Sequence, residues 1–515
     1  MTAGSCWLRA FAALFIVWAA HAKDPQLTNA DLFTLTNVWT VHLTFTPEQW
    51  KAIEPKQSGR DGMRFGPDGP MLLGQEGGRN GLSAARGIEF DYVKANLEFN
   101  GAKFTNIAVR YKGNGTFMAS QNSLKHSFKL DLNQFVKGQK LAGVSKLNLH
   151  NNVTDATWMN ETLSYQLYRE AGVPAPRTSY AKVFVTVPGE HAREYFGLYS
   201  LVEDIDNYFA EKNFGTKKGA IFKPVTRELF NDLGTDWAKY QQSYDAKTEL
   251  TAVQKQRVFD FARLVTKANN QEFDARVGEF LDLKEFARFM AVTVYLSTLD
   301  SILGMGQNFF VYLDPKSNKF EFLPWDLDNS FGQFPLAGTQ EEREQLSILR
   351  PWQGENRFIE RVFHVPAFQK LYRARLAEFS GTLFQPERFT NQVNTVAAAI
   401  RNAVKEESAE KLAKFDKAGA GESVTRERPG GNGMRGGGGG GGGFGPRGPG
   451  GGMTMKPIKA FVPVRSQSVA DQLAGKSEGK IITPFRGPRG PRGGFDGPPP
   501  GGGFNRDFPP PDGPP

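Results

Sequence analysis

The chain has 515 residues, with 63 Lys and Arg against 54 Asp and Glu, a net charge of +9, and one cysteine, Cys6. A lone cysteine at the extreme N-terminus excludes a disulfide framework, zinc–cysteine sites and thiolate catalysis in the bulk of the chain. Much of the positive excess lies from Arg426 onward, where Arg, Lys, Gly and Pro dominate.

The first 22 residues have the three parts of a secretory signal peptide. Arg9 supplies the positive start, Phe11 to Ala20 the apolar core, and Ala20-His21-Ala22 the small-x-small cleavage site. Cleavage before Lys23 would remove Cys6. No later stretch is long and apolar enough for a membrane span. The expected location is therefore outside the cytoplasm: periplasm, cell surface or extracellular space. There an acidic surface, an anionic polymer or a nucleotide phosphate is the expected partner for the basic excess, and nucleic acid is not.

Asn37–Phe45 alternates and predicts a strand, and Thr46-Pro47-Glu48-Gln49 predicts a capped helix start. Lys56 to Gly87 reads as a Gly-rich loop with Arg60, Arg64, Arg79 and Arg86. Asp91–Phe99, Phe104–Tyr111 and Ser127–Leu132 read as strands, with a tight turn at Lys112–Thr116. In the third strand the period of two puts Lys125, Ser127 and Lys129 on one face and Phe128, Leu130 and Leu132 on the other. Lys146–His150 is another short strand. Thr154 or Asp155 then caps a helix at about 155–172 that contains Glu161. Ala181–Val187 and Tyr195–Val202 are strands, the second running into Glu203-Asp204-Ile205-Asp206.

The second half turns helical. Ala252–Asn269, Asp274–Leu281, Leu283–Leu299, Glu341–Leu349, Phe358–Phe379 and Pro386–Glu410 have helical spacing. Phe309–Leu313 and Lys319–Leu323 predict a hairpin. Residues 417–455, which include the glycine run 436–443, are predicted to be a disordered insertion, and 484–515 a disordered tail. Between them, 456–483 reads as a docking element: a short strand at Ala460-Phe461-Val462, then a helix at Ser466–Leu473.

The chemistry concentrates in Pro324-Trp325-Asp326-Leu327-Asp328, a strand end spilling into a turn. Carboxylates there suit a hard cation such as Mg²⁺, which takes oxygen ligands and shares them with phosphates. Asp300, Asn308 and a strand-end Asp follow the order of parts in phosphoryl transfer. An EF-hand fails, because Phe331 and Ala337 occupy the positions that need Gly and Glu. The histidines show no metal-ligand spacing and read as structural.

Five segments resemble the spore-coat protein H (CotH) kinase family: Arg110–Thr116, Lys125–Leu130, Gly197–Glu203, Asp300 with Asn308, and Pro324–Asp328. The resemblance runs over about 37–345, with an echo at 457–475. It implies an α+β, atypical protein-kinase-like two-lobed fold, with a β-rich N-lobe at about 37–205 and a mainly helical C-lobe at about 206–416. It further implies an ATP-dependent kinase that uses Mg²⁺ or Mn²⁺ to phosphorylate Ser or Thr of an exported protein. Asp300 would accept the proton of the attacking hydroxyl, and Asn308 and Asp326 would hold metal, with Asp328 competing for it. Lys125 or Lys129 would bind phosphates, oriented by Glu161. Glu203 would border the adenine, and Lys112 would begin the loop over the phosphates. The alternative is an inactive kinase-like scaffold in surface or coat assembly.

Overall fold

The structure, a computed structural model, describes residues 27–57, 87–426 and 453–483, together with 65–66, 69–70, 73–76, 79–80 and 84. The predicted signal peptide, most of the Arg-bearing loop, the glycine run and the C-terminal tail lie outside the described residues.

Seven strands close into a barrel. They are β1 (Val38–Thr44), β2 (Val93–Phe99), β3 (Ala102–Lys112), β4 (Ser127–Asp131), β5 (Lys146–His150), β6 (Thr178–Val187) and β7 (His191–Glu203). The order around the barrel is β1-β6-β7-β5-β4-β3-β2 and back to β1. Every pairing is antiparallel except β1 with β6, which run parallel with Val38 opposite Tyr180 and Thr44 opposite Thr186. Closure rather than an open sheet removes exposed strand edges. Alternation fills the interior with Val41, Leu43, Leu97, Val109, Phe128, Leu130, Leu149 and Val183. It leaves Ser127 and Lys129 on the outer face of β4.

The rest is mainly helical and shares a second core. A three-stranded antiparallel sheet, β8 (Ala220–Phe222), β9 (Phe309–Leu313) and β10 (Phe320–Pro324), packs within that core. Four helices matter for the site: α1 (Asn160–Glu170), α2 (Leu283–Tyr295), α3 (Pro386–Glu407) and α4 (Ile458–Leu473). Helix α1 is wedged between the two halves. Its Thr162 hydroxyl meets the Tyr180 hydroxyl of the barrel at 2.8 Å, and its Tyr168 hydroxyl meets Thr293 of α2 at 2.7 Å.

Several predicted elements differ. Helix α1 starts at Asn160, not 155, because the Asp155 carboxylate accepts the amides of Thr157 and Asn160 and holds 155–159 as a turn. Lys112–Thr116 is not a simple turn: Gly113 (φ +85°) breaks β3, and a helix runs over Asn114–Ala119. The predicted helix Glu341–Leu349 shrinks to Gln340–Glu344, because Lys480 bonds the backbone of Gln345 and Ser347 and draws that segment into an extended bridge. Phe358–Phe379 is two helices, Arg357–His364 and Pro366–Gly381, since Pro366 cannot continue the first. The predicted strand at Ala460–Val462 is part of α4: Ile458, Phe461, Val462, Arg465, Val469 and Gln472 are buried at helical spacing despite Pro463 within it. At the boundaries of the predicted insertion, Val424–Arg426 pairs antiparallel with Met453–Met455.

Candidate functional site

The ends of β3, β5 and β10, the start of α1 and the residue after β8 meet at one junction. Lys112 ends β3, His150 ends β5, Glu161 lies in the first turn of α1, Asp326 follows β10, and Lys223 follows β8. The Lys112 ammonium contacts His150 Nε2, and His150 Nδ1 lies 2.7 Å from Glu161 Oε2. One ligand atom from each of His150, Glu161 and Asp326 lies within 4.8 Å of the others. Glu161 is buried, and the Tyr165 hydroxyl, which accepts the Asp326 amide at 3.0 Å, lies beside it. The Trp325 indole forms a floor, with Lys112 Nζ 5.0 Å and Lys223 Nζ 5.6 Å from its ring.

The junction crowds buried charges of both signs. Burial pulls the Lys112 ammonium down to about 7; Asp326 and Glu161 oppose the shift, while Lys223 and Lys129 add to it. Burial likewise takes Lys223 down to about 8, with Lys247 and Lys129 adding to the shift and Asp326 and Asp245 opposing it. Burial opposes the Glu161 charge, but His150 and then Lys112 keep its carboxyl below the ordinary range. Lys129 is tied to Asp204 at 2.8 and 3.0 Å; despite burial, that partner holds its ammonium above the ordinary range.

Asp300 reaches the same end of the sheet. Phe309 pairs with Pro324, so Asn308 and Trp325 are neighbours, and the Trp325 amide donates to the Asn308 carbonyl at 3.2 Å. Asn308 Nδ2 donates to the Asp300 carbonyl at 2.9 Å. The Asp300 carboxylate accepts from Gln307 Nε2 at 2.8 Å and Asn329 Nδ2 at 3.4 Å. Asn329 also donates to Asp328 Oδ1 at 3.0 Å, linking the two carboxylates. Asn308 (φ +60°) and Asp326 (φ +54°) both hold left-handed backbone, a conformation found disproportionately at functional sites.

The candidate residues therefore separate. Lys112, Glu161 and Asp326 are brought together, with Lys129 close enough to influence Lys112, and Asp300 and Asn308 form an adjoining group. Asp328 instead bonds Thr154 Oγ1, and its carbonyl accepts from Asn160 at 3.0 Å, so it braces the loop against the start of α1. Lys125 is buried elsewhere: its ammonium lies 2.7 Å from Glu407 of α3, among the Trp158 and Tyr199 rings. Glu203 is bound by the Arg177 guanidinium, and the next residue, Asp204, is the one that faces Lys129. His150 and Lys223 belong to the site although neither was singled out from the sequence. His150 lies eleven residues before Glu161, too far for a motif, and nothing local distinguishes Lys223.

A family model described as CotH kinase protein matches residues 109–425. That stretch contains every site residue named above and stops before α4. The inner spore coat protein H of Bacillus subtilis (strain 168) is 24% identical over 319 residues, covering 60% of this chain and 81% of that protein. Among the described residues, no helix is long and apolar enough to cross a membrane.

Proposed function

The chain belongs to the CotH kinase family, and on that premise we propose that it is an exported protein kinase transferring the γ-phosphate of ATP to Ser or Thr of a secreted or surface protein. The observation that supports this most is the pair of buried ammonium groups, Lys112 and Lys223, that share the face of the Trp325 ring beside Asp326. A buried cluster of cations costs free energy unless an anion joins it, and a triphosphate supplies that charge.

In this reading Lys112 and Lys223 take the phosphates and Lys129 is held by Asp204 beside them. Glu161 acts through His150 to fix Lys112, and Asp326 is the carboxylate that holds the divalent cation, Mg²⁺ or Mn²⁺. That ion, when bound, neutralises charge on the phosphates. The donor set fits it: Asp326 and Glu161 offer carboxylate oxygens, and His150 a ring nitrogen, within 4.8 Å of one another. Asp300 orients the substrate hydroxyl and accepts its proton. Gln307 and Asn329 keep its carboxylate in one orientation, and Asn308 pins its backbone. Lys125 and Glu203 drop to structural roles. Phosphoryl transfer asks the protein mainly for positioning and charge, which this junction provides.

The test is transfer of labelled phosphate from ATP by the purified chain with Mg²⁺ or Mn²⁺. Asp326→Ala and Asp300→Ala should each reduce it at least about a hundredfold, the scale of losing one well-placed electrostatic group. Undiminished labelling in both variants refutes the assignment, and absence of both transfer and nucleotide binding in the wild type refutes the kinase reading.

A further inference from the structure

Resting on that reading of the site, we infer that the junction is built to take a first-row transition metal of the Mn²⁺ class through an imidazole nitrogen, with His150 as a direct ligand beside Asp326 and Glu161. Three observations converge. His150, Glu161 and Asp326 offer ligand atoms within 4.8 Å of one another. The imidazole is already set as a ligand: Nδ1 faces Glu161 Oε2 at 2.7 Å and so carries the proton, which leaves the lone pair on Nε2. A carboxylate behind a histidine in this manner fixes the tautomer and raises the basicity of the free nitrogen. Finally, that lone pair is not idle, because the Lys112 ammonium sits against it.

Lys112 is thus an internal cation at the position where a metal would receive the Nε2 lone pair. Were His150 and Asp326 to hold a divalent ion, the Nε2 lone pair would serve the metal and the Lys112 ammonium would be free for the phosphates it is proposed to bind. No covalent bond is made or broken in the exchange. The ligand chemistry also sets the preference. Mg²⁺ favours an all-oxygen shell and gives up water reluctantly, whereas imidazole suits transition metals and raises affinity in the order Mn²⁺, Fe²⁺, Co²⁺. An imidazole ligand has no advantage at a site built for Mg²⁺ alone.

The experiment loads the full chain with Mn²⁺ in the absence of nucleotide and records electron spin-echo modulation. A directly coordinated imidazole gives ¹⁴N modulation. The expected result is that signal in the wild type and its loss in His150→Gln, with Mn²⁺ affinity falling about 10–100-fold, the scale of removing a group from a metal's coordination environment. Mg²⁺ affinity, from competition, should change less than about threefold by the same ligand argument. Mn²⁺ bound without nitrogen modulation, or bound equally by wild type and His150→Gln, overturns the inference. Should His150→Gln not fold, His150→Asn takes its place, and imidazole ¹⁴N modulation that persists in that variant overturns it equally. Because no nucleotide is present, the two readings fail separately. Nitrogen-ligated Mn²⁺ without phosphate transfer would remove the kinase reading alone, and transfer with an all-oxygen Mn²⁺ shell would remove this inference alone.

Discussion

Arg465 offers the sharpest test of how α4 supports the domain. Its side chain is fully buried and donates to four backbone carbonyls: Val294 at 2.9 Å, Tyr295 at 3.2 Å, Glu344 at 3.2 Å and Leu346 at 2.7 Å. Two of these belong to the last turn of α2, whose carbonyls have no partner within the helix. Burial draws the guanidinium down to about 10, so it stays charged at neutral pH. In Arg465→Met, Val294 keeps the amide of Ser297 and Leu346 keeps Gln472 Nε2, but Tyr295 and Glu344 lose the donor. Two orphaned buried carbonyls cost about 1–3 kcal/mol each. Methionine offsets part of that by removing a buried charge while filling much of the volume. A net loss of about 3 kcal/mol follows, which lowers Tm by about 3–4 °C, since an unfolding entropy of about 2.1 cal/mol/K per residue makes a domain this large less sensitive. Arg465→Lys should fare no better, because one ammonium cannot span four carbonyls. Thermal melting of the three proteins under one buffer decides the matter. A Met variant melting at or above the wild type refutes the reasoning and shows that desolvation outweighs the bonds.

Two further outcomes follow from buried charges in the barrel. His126 is stacked on Phe117 and beside Tyr111, and burial takes its imidazole down to about 4. The folded state therefore resists a proton that the unfolded chain accepts. Its contribution is complete above about pH 6.5 and falls by about 3 kcal/mol as pH drops toward 4. His126→Phe should flatten that part of the urea-measured stability profile between pH 7 and 4.5, and equal slopes in both proteins would contradict it. The second outcome concerns the Lys125–Glu407 pair, which is buried beside Gly197, where a Cβ would lie 2.7 Å from the Glu407 carboxylate. Glu407→Leu strands a buried ammonium and should cost about 3–5 kcal/mol. Lys125→Met with Glu407→Leu should recover most of that loss and still bind ATP. Loss of ATP binding in a folded double variant would return Lys125 to the phosphate site.

Local rules made much of this legible. The alternation of Phe128 and Leu130 against Lys129 identified the inner and outer faces of β4, and the capping box at Thr46 was readable because its partner, Gln49, is three residues away. The order Asp300, Asn308, Asp326 was visible because a hairpin register carries Asn308 to Trp325. What escaped depends on distant partners. Lys125 and Lys129 look alike along one strand, yet one meets Glu407 and the other Asp204, and no local pattern encodes that choice. Adjacent Glu203 and Asp204 point to opposite sides for the same reason. His150 looked structural because its significance lies in Glu161 and Lys112, on two other elements. Pro463 disguised α4 as a strand, since tertiary burial of its apolar stripe overrides a propensity penalty of about 3 kcal/mol.

The parallel seam between β1 and β6 has a consequence for how the chain reaches this state. Every other pairing in the barrel joins antiparallel neighbours, whereas the seam joins the first described strand to one that begins only at Thr178. Six strands can zip progressively, but the seventh place is filled by a segment made long before its partner, so closure bears the largest loop entropy. Until then β1 and β6 both present unpaired edges, a template for association between chains. The residues that limit aggregation of newly made protein are therefore those of Val38–Thr44, none of which belongs to the Lys112–Asp326 junction, and a truncation there would produce insoluble chains rather than inactive ones.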